Sequence, residues 1–340
     1  MKAVYLEDGA VNRGDLSLKP IAELCELTVY KNTTEDDKFE HIGDAEAVFS
    51  NKIVFDEDTF AKLPNLKYLG VCATGYNVID IEAAKRHGVT VTNVPAYSTE
   101  SVAQLAWGFI LESACHIREH DESVKRGDWV KSDTFCYWTS PVMELAGKTI
   151  GIVGFGNIGR RVAEVALAFR MNVLVHTAHP EKYADYLSSL GYGSLNGTSD
   201  GATPDRGSIS FVGIDELFKM SDIISLHCPM NRDTENLIRK ENIDKMKDGV
   251  IIVNVSRGGL VAEQDLEDAL KSGKVGAAAV DVVRTEPMIS GNPLLAAPNI
   301  CITPHMAWAS VEARTRCVHE VLENILAFKR GENRNVINML

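Results

Sequence analysis

The chain lacks most of what would mark a secreted, membrane-bound or nucleic-acid-binding protein. No apolar run in its 340 residues approaches the ~20 needed to span a bilayer. The opening Met1-Lys2-Ala3-Val4-Tyr5-Leu6-Glu7-Asp8 turns acidic too early for a signal peptide. An excess of basic residues is missing too: 35 Lys and Arg against 47 Asp and Glu leave a net charge of −12. Neither a nucleic acid backbone nor a membrane surface is therefore the expected partner. Seven cysteines (Cys25, Cys72, Cys115, Cys136, Cys228, Cys301, Cys317) are scattered, odd in number and never in C-x-x-C spacing. That pattern holds no disulfide framework and no metal-ligand set, and it suits a reducing, cytoplasmic setting.

What is present is an ordinary globular composition, 45% hydrophobic and 24% charged, which excludes wholesale disorder. The length suggests two domains, at ~150 residues each. Ten short apolar runs bounded by turn residues recur along the chain. They are Ala3–Leu6, Ala47–Ser50, Tyr68–Cys72, Val89–Thr92, Thr149–Val153, Val173–Val175, Ile223–Leu226, Val250–Val253, Ala277–Val280 and Ile300–Ile302. Continuous apolar strands alternating with helical stretches predict parallel sheets covered on both faces. Ten strands are too many for one small sheet, so the expected class is α/β, with two doubly wound parallel-sheet domains. The seam falls near Ser98, where a helical pattern opens at Thr99 and runs to about 118, with Ser98 or Thr99 as its cap. A last amphipathic helix is expected from about Ser310 to Phe328. The segment from Leu190 to Gly207, rich in Gly, Ser and Asp, reads as a surface insertion.

Ile150-Gly151-Ile152-Val153-Gly154-Phe155-Gly156-Asn157-Ile158-Gly159 reads as strand, tight turn and helix. Gly154, Gly156 and Gly159 form G-x-G-x-x-G. The first glycine permits the turn, the second lets the backbone approach a pyrophosphate, and the third allows close helix–strand packing. A bare G-x-G-x-x-G is a weak signal, but here both flanks are right for a dinucleotide. The acidic residue expected about 20 positions on is absent: the next strand ends in His176-Thr177. No arginine follows Val175 to bind a 2′-phosphate, and Lys182 and Arg206 are distant. The residues favour NAD without excluding NADP.

Three polar residues follow apolar strand runs: Arg257 after Val253-Asn254-Val255-Ser256, Glu286 after Asp281-Val282-Val283, and His305 after Thr303-Pro304. Strand C-terminal ends face the ligand crevice of a parallel sheet, so the three are expected to converge there. A fixed cation, an imidazole and a carboxylate beside a dinucleotide suit hydride transfer to a 2-keto acid. The arginine fork binds the substrate carboxylate, the histidine exchanges a proton with the carbonyl oxygen, and the glutamate orients the histidine. Taken singly, each has a structural alternative: a surface ion pair, a turn residue before Pro287, a loop histidine.

On these residues, with Leu226-His227-Cys228-Pro229, Thr234 and the Asp281–Pro287 stretch, the chain resembles the D-isomer-specific 2-hydroxyacid dehydrogenase family over nearly its whole length. The resemblance implies a flavodoxin-like substrate domain (1–98 and 300–340) with a Rossmann dinucleotide domain (99–299) inserted in it. It implies that Arg257, Glu286 and His305 are catalytic. Dinucleotide contacts are implied for Gly154, Phe155, Gly156, Asn157, Ile158, Gly159, His176, Thr177, Cys228, Pro229, Thr234, Val255, Ser256 and Asp281. Substrate contacts are implied for Ala73, Thr74 and Gly75, together with Arg257 and His305.

Three stretches, Ala96–Gln104, Trp129–Trp138 and His305–Trp308, are similar to glycerate dehydrogenases (hydroxypyruvate reductases). The expected substrates are therefore hydroxypyruvate/D-glycerate or glyoxylate/glycolate. A D-lactate-type or phosphoglycerate-type dehydrogenase, or a dinucleotide-sensing corepressor-like protein, are the alternatives. No regulatory domain is expected beyond Leu340. An apolar helix (Val102 to Ala114) followed by Trp129, Phe135, Tyr137 and Trp138 predicts a homodimer through the dinucleotide domain.

Overall fold

The computed structural model describes residues 1–189 and 207–339. Most of the expected surface insertion, 190–206, and with it Arg206, lies outside the described residues. The chain divides into two compact units, Met1–Ser98 with Trp308–Leu340, and Thr99–Ala307.

The first unit is built on a five-stranded sheet: β1 (Lys2–Tyr5), β2 (Glu26–Val29), β3 (Ala47–Ser50), β4 (Tyr68–Val71) and β5 (Thr90–Thr92). The order is β2-β1-β3-β4-β5 and every pair is parallel, the flavodoxin-like arrangement. Alternation along the strands sends Val4, Val48, Leu69 and Val91 to one core and Tyr5, Phe49 and Tyr68 to the other. The second core is closed by the helix Val311–Arg330, which buries Ala313, Cys317, Val321 and Ile325. At ~1.5–3 kcal/mol per buried large aliphatic side chain, that apolar stripe is what docks a helix with no strand after it. Ser310 caps its start by accepting from Ala313 N, and Gly331 ends it in the left-handed region.

The second unit holds β6 (Thr149–Val153), β7 (Asn172–His176), β8 (Ile209–Phe211), β9 (Ile223–Leu226), β10 (Val250–Asn254), β11 (Val275–Val280) and β12 (Ile300–Ile302). Their order, β12-β11-β10-β9-β6-β7-β8, is parallel throughout and reverses direction of winding at β6, between β7 and β9. That switch point is where a doubly wound sheet opens a crevice. The helix Thr99–Cys115 buries Ala106, Phe109 and Ile110, and Trp107 Nε1 donates to the carbonyl of Val162 in the helix Asn157–Ala168.

The two strands beyond the ten expected, β2 and β8, are each an outer edge of a sheet. An edge strand needs apolar residues on fewer sides. Accordingly β2, Glu26-Leu27-Thr28-Val29, is largely exposed and β8 is three residues long. The helix expected to run to about 118 stops at Cys115. His116 takes a left-handed φ of 50°, and a second helix, Ile117–Lys125, starts after it. The return to the first unit comes at Trp308 rather than 300, because β12 is hydrogen-bonded to β11 and stays with the second sheet.

Candidate active site

The glycine turn leaves β6 at the switch point. Gly154 has φ +93°, and a Cβ there would sit 2.5 Å from Cys228 N and 2.6 Å from His227 C, so only glycine fits. Its N–H donates to the His176 carbonyl at 2.8 Å, and His227 N donates to Val153 O at 2.7 Å. The turn is thus fixed against both neighbouring strand ends. A Cβ on Gly159 would meet Gly154 O at 2.2 Å, which lets the helix press onto the strand. Gly156 differs: a Cβ there would meet no protein atom within 4 Å. Its exposed face opens at the N-terminus of Asn157–Ala168, whose first turn carries no acidic side chain. Open backbone, unpaired helix N–H groups and no competing anion fit a pyrophosphate.

The other residues of the turn contribute unequally. The Phe155 ring is buried among Tyr183, Tyr186 and Phe211, so only its backbone is offered to a ligand. Asn157 is exposed and accepts from Arg160, and Ile158 is half-buried. At the end of β7, His176 Nδ1 donates to Val212 O at 3.2 Å. Thr177 lines a depression of about 390 Å³ with Val175, Pro180, Phe211, Glu181 and Glu216. Two carboxylates, Glu181 and Glu216, line this depression, although none ends the strand.

Beyond β9, Thr234 closes a loop by donating to Pro229 O at 2.8 Å and accepting from Asn231 N. Cys228 is buried, which pushes its thiol up to about 11 and keeps it inert. Its carbonyl accepts from the Ser256 hydroxyl at 2.6 Å, joining the ends of β9 and β10 beside the buried Val255. His227 is enclosed, with Nε2 against Ser225 Oγ at 2.8 Å, and burial drives its pKa down to about 3, so the ring is neutral. Among the described residues no group of His, Cys, Asp and Glu is arranged to hold a metal ion.

Arg257, Glu286 and His305 all lie in the second unit, at the C-terminal edge of its sheet. Arg257 follows β10, half-buried, with Nη1 donating to Ser256 O at 2.7 Å. The buried Asn254 shapes this turn, donating to Arg257 O and accepting from Ser256 N. A Cβ on Gly258 would stand 1.9 Å from Val283 C, so the Arg257 turn lies directly on the backbone leading to Glu286. Glu286 accepts from Val283 N at 3.2 Å through Oε1, while Oε2 meets His305 Nδ1 at 2.6 Å. Both side chains are about two-thirds or more buried, enough to limit screening without closing off solvent. His305 itself holds a left-handed φ of 53°, a costly conformation for a residue with a Cβ. Its N–H donates to Asp281 O at 2.7 Å, and the Asp281 carboxylate accepts from the Thr303 hydroxyl and from Met306 N and Ala307 N, each of the last two at 2.8 Å. Asp281 is 1% exposed, and its carboxylate holds the His305 loop in place.

Ala73, Thr74 and Gly75 lie in the first unit, after β4. The Thr74 hydroxyl donates to Val94 O, its carbonyl accepts from Asn93, and Val94 N donates to Ala73 O. The loop is thus held by its own side chain and carbonyls. The structural work of Asn254, Gly258 and Asp281 is not visible in the sequence pattern, apart from one signal: Asn254 is a polar residue closing a wholly buried strand.

The comparisons agree with this geometry. Residues 107–307 match the model of the D-isomer specific 2-hydroxyacid dehydrogenase, NAD binding domain. A hydroxypyruvate reductase of Blautia hydrogenotrophica is 42% identical over 99% of this chain and 100% of its own. A glycerate dehydrogenase of Methylorubrum extorquens is 37% identical over 92% of each. The solved glyoxylate reductase from Paecilomyes thermophila superposes with a TM-score of 0.80 at 27% identity, covering 99% of this chain and 98% of that one. No helix among the described residues is long and apolar enough to cross a membrane. An all-parallel pair of α/β sheets, a glycine cradle at the switch point and these relatives place the chain in the D-isomer-specific 2-hydroxyacid dehydrogenase family, as an oxidoreductase of 2-hydroxy acids with an NAD(P)-binding domain.

Proposed function

We propose that the chain reduces a small 2-keto acid to the D-2-hydroxy acid, with hydroxypyruvate to D-glycerate first and glyoxylate to glycolate second. The observation that carries this reading is the 2.6 Å His305–Glu286 pair at the same sheet edge as the open face of Gly156. When bound, a reduced nicotinamide dinucleotide supplies the hydride that forms the new C–H bond. Arg257 pairs with the substrate carboxylate through its planar fork and polarises the carbonyl. His305 delivers a proton from Nε2 to the carbonyl oxygen as the C–O π bond breaks, and takes the hydroxyl proton back in the reverse direction. Nδ1 is engaged by Glu286, which fixes the orientation of the ring. The relatives named hydroxypyruvate reductase and glycerate dehydrogenase support the choice of substrate.

In this reading the backbone of Gly154 to Gly159 would hold the pyrophosphate, and the 228–234 loop and the 255–256 turn would contribute further contacts to the dinucleotide. NAD is the preferred cofactor, because Glu181 and Glu216 oppose a 2′-phosphate in the depression beyond β7. The protein works in a reducing, cytoplasmic setting, consistent with seven free thiols. It pairs as a homodimer through the dinucleotide domain. The support is a run of exposed apolar residues on one segment, including Val130 and Phe135, each 89% exposed, and Trp138 at 69%.

Consumption of NADH and NADPH with a panel of 2-keto acids tests the reading. Turnover of hydroxypyruvate or glyoxylate with NADH is expected; no turnover of any 2-keto acid would overturn it, and preference for pyruvate or phosphohydroxypyruvate would move the substrate assignment. Light scattering at micromolar concentration is expected to give the mass of two chains, and a single-chain mass would remove the dimer.

A further inference from the structure

The loop that carries Glu286 runs from β11 to a short 3-10 turn at Pro293–Ala296, and Arg284, Thr285 and Pro287 beside it are exposed. An exposed loop of this kind does not by itself hold a carboxylate to the tolerance a proton-transfer pair needs. Both of its ends are tied to a single side chain. Glu263, half-buried in the first turn of the helix Glu263–Ser272, accepts from Arg284 N through Oε1 at 2.7 Å. Its other oxygen, Oε2, accepts from Asn292 Nδ2 at 2.9 Å. Asn292 is buried and spends its own carbonyl oxygen on Leu294 N at 2.9 Å, so this anchor is rigid.

Glu263 also lies six residues after Arg257, just beyond the 3-10 turn Gly258–Leu260. Gly258, between them, is pressed against Val283 C, Val283 O and Arg284 N with no room for a Cβ. From there Val283 N reaches Glu286 Oε1, and Glu286 Oε2 reaches His305. The segment 257–263 is therefore a template on which the Glu286 loop is laid, with backbone contact at one end and a carboxylate clasp at the other.

We propose that Glu263 is a positioning residue, clasping residues 284 and 292 so that Glu286 is held at hydrogen-bond distance from His305. The proposal rests on the reading of Glu286 and His305 as the proton-handling pair. It predicts a loss in turnover with no loss in binding, because the two oxygens of Glu263 are spent on Arg284 N and Asn292 Nδ2, in the loop that carries Glu286.

A double-mutant cycle on the full chain tests it. Glu263→Ala is expected to lower kcat about 10- to 100-fold, since displacements near 1 Å cost on the order of 10² in rate. NADH affinity, read by fluorescence quenching, and KM for the keto acid are expected to stay within about twofold. Glu263→Gln, which keeps an oxygen for Arg284 N but sets its amide NH2 against the Asn292 Nδ2 donor, is expected to recover part of the loss. Glu286→Gln sets the reference: if Glu263 acts through Glu286, then the double variant Glu263→Ala/Glu286→Gln is no slower than Glu286→Gln alone. Additive losses, a parallel fall in NADH affinity, or full turnover in Glu263→Ala would each overturn the proposal. Full turnover in Glu286→Gln would instead strike down the functional reading, and the clasp with it. Should Glu263→Ala not fold, Asn292→Asp keeps the acceptor for Leu294 N and opposes Glu263 with a second carboxylate. It is expected to lower kcat in the same way, and wild-type turnover there would overturn the proposal.

Discussion

The two halves of the site in the second unit are built by opposite means. At the dinucleotide turn the chemistry is backbone N–H, and what matters is which side chains are absent: Gly154 and Gly159 touch protein where a Cβ would be, and Gly156 touches nothing. At the strand ends beyond β10, β11 and β12 the chemistry is side-chain, and each working group is held by another polar group. Asn254 shapes the Arg257 turn, and Asp281 holds the His305 loop by three donors. The first half is expected to fail when atoms are added and the second when they are removed. Failure of the first is read in dinucleotide affinity, and failure of the second in turnover.

The largest effect expected is at His305. His305→Ala removes the proton donor and is expected to lower kcat by ~10²–10⁴-fold, while NADH affinity by fluorescence quenching stays unchanged. Near-normal turnover would show that another group handles the proton, and a joint loss of affinity would blur the division between the halves. Arg257→Lys comes next. Lysine keeps the charge but not the planar fork, so kcat/KM for the keto acid is expected to fall roughly 100-fold, with both a higher KM and a lower kcat. An unchanged kcat/KM would place the carboxylate elsewhere.

The same division explains what was legible in the amino-acid sequence. The glycine turn is legible because its constraint is local: three glycines within six residues between an apolar strand and a helix leave few alternatives. Arg257, Glu286 and His305 are legible as polar residues just after apolar strands, and the strand order puts them on one edge. What holds them is not legible, because Glu263 bonds to residues 21 and 29 positions away and Asp281 to residues 22 to 26 positions away. No spacing rule links such pairs before the sheet is folded. The edge strands β2 and β8 escaped for a related reason: strands are read from burial, and a strand at a sheet edge has less of it.

The smallest effect expected is the one that separates the two meanings of a glycine within the turn. Gly156→Ala places a Cβ where no protein atom lies within 4 Å, so no clash results, and the melting temperature is expected to fall by no more than about 2 °C, the cost of alanine at the helix N-cap. The added methyl occupies the face through which the backbone meets a pyrophosphate, and NADH affinity is expected to fall about tenfold, equivalent to ~1.4 kcal/mol. Gly159→Ala is the internal control. Its Cβ would stand 2.2 Å from Gly154 O and 3.3 Å from an Ile152 methyl, so the helix must move off the strand, and the melting temperature is expected to fall by roughly 5 °C. Scanning calorimetry and fluorescence titration of the two variants decide the matter. If Gly156→Ala binds NADH as tightly as the parent chain, the open face is not where the pyrophosphate lies. If instead it melts early, the glycine is structural and the turn owes its openness to something other than the ligand.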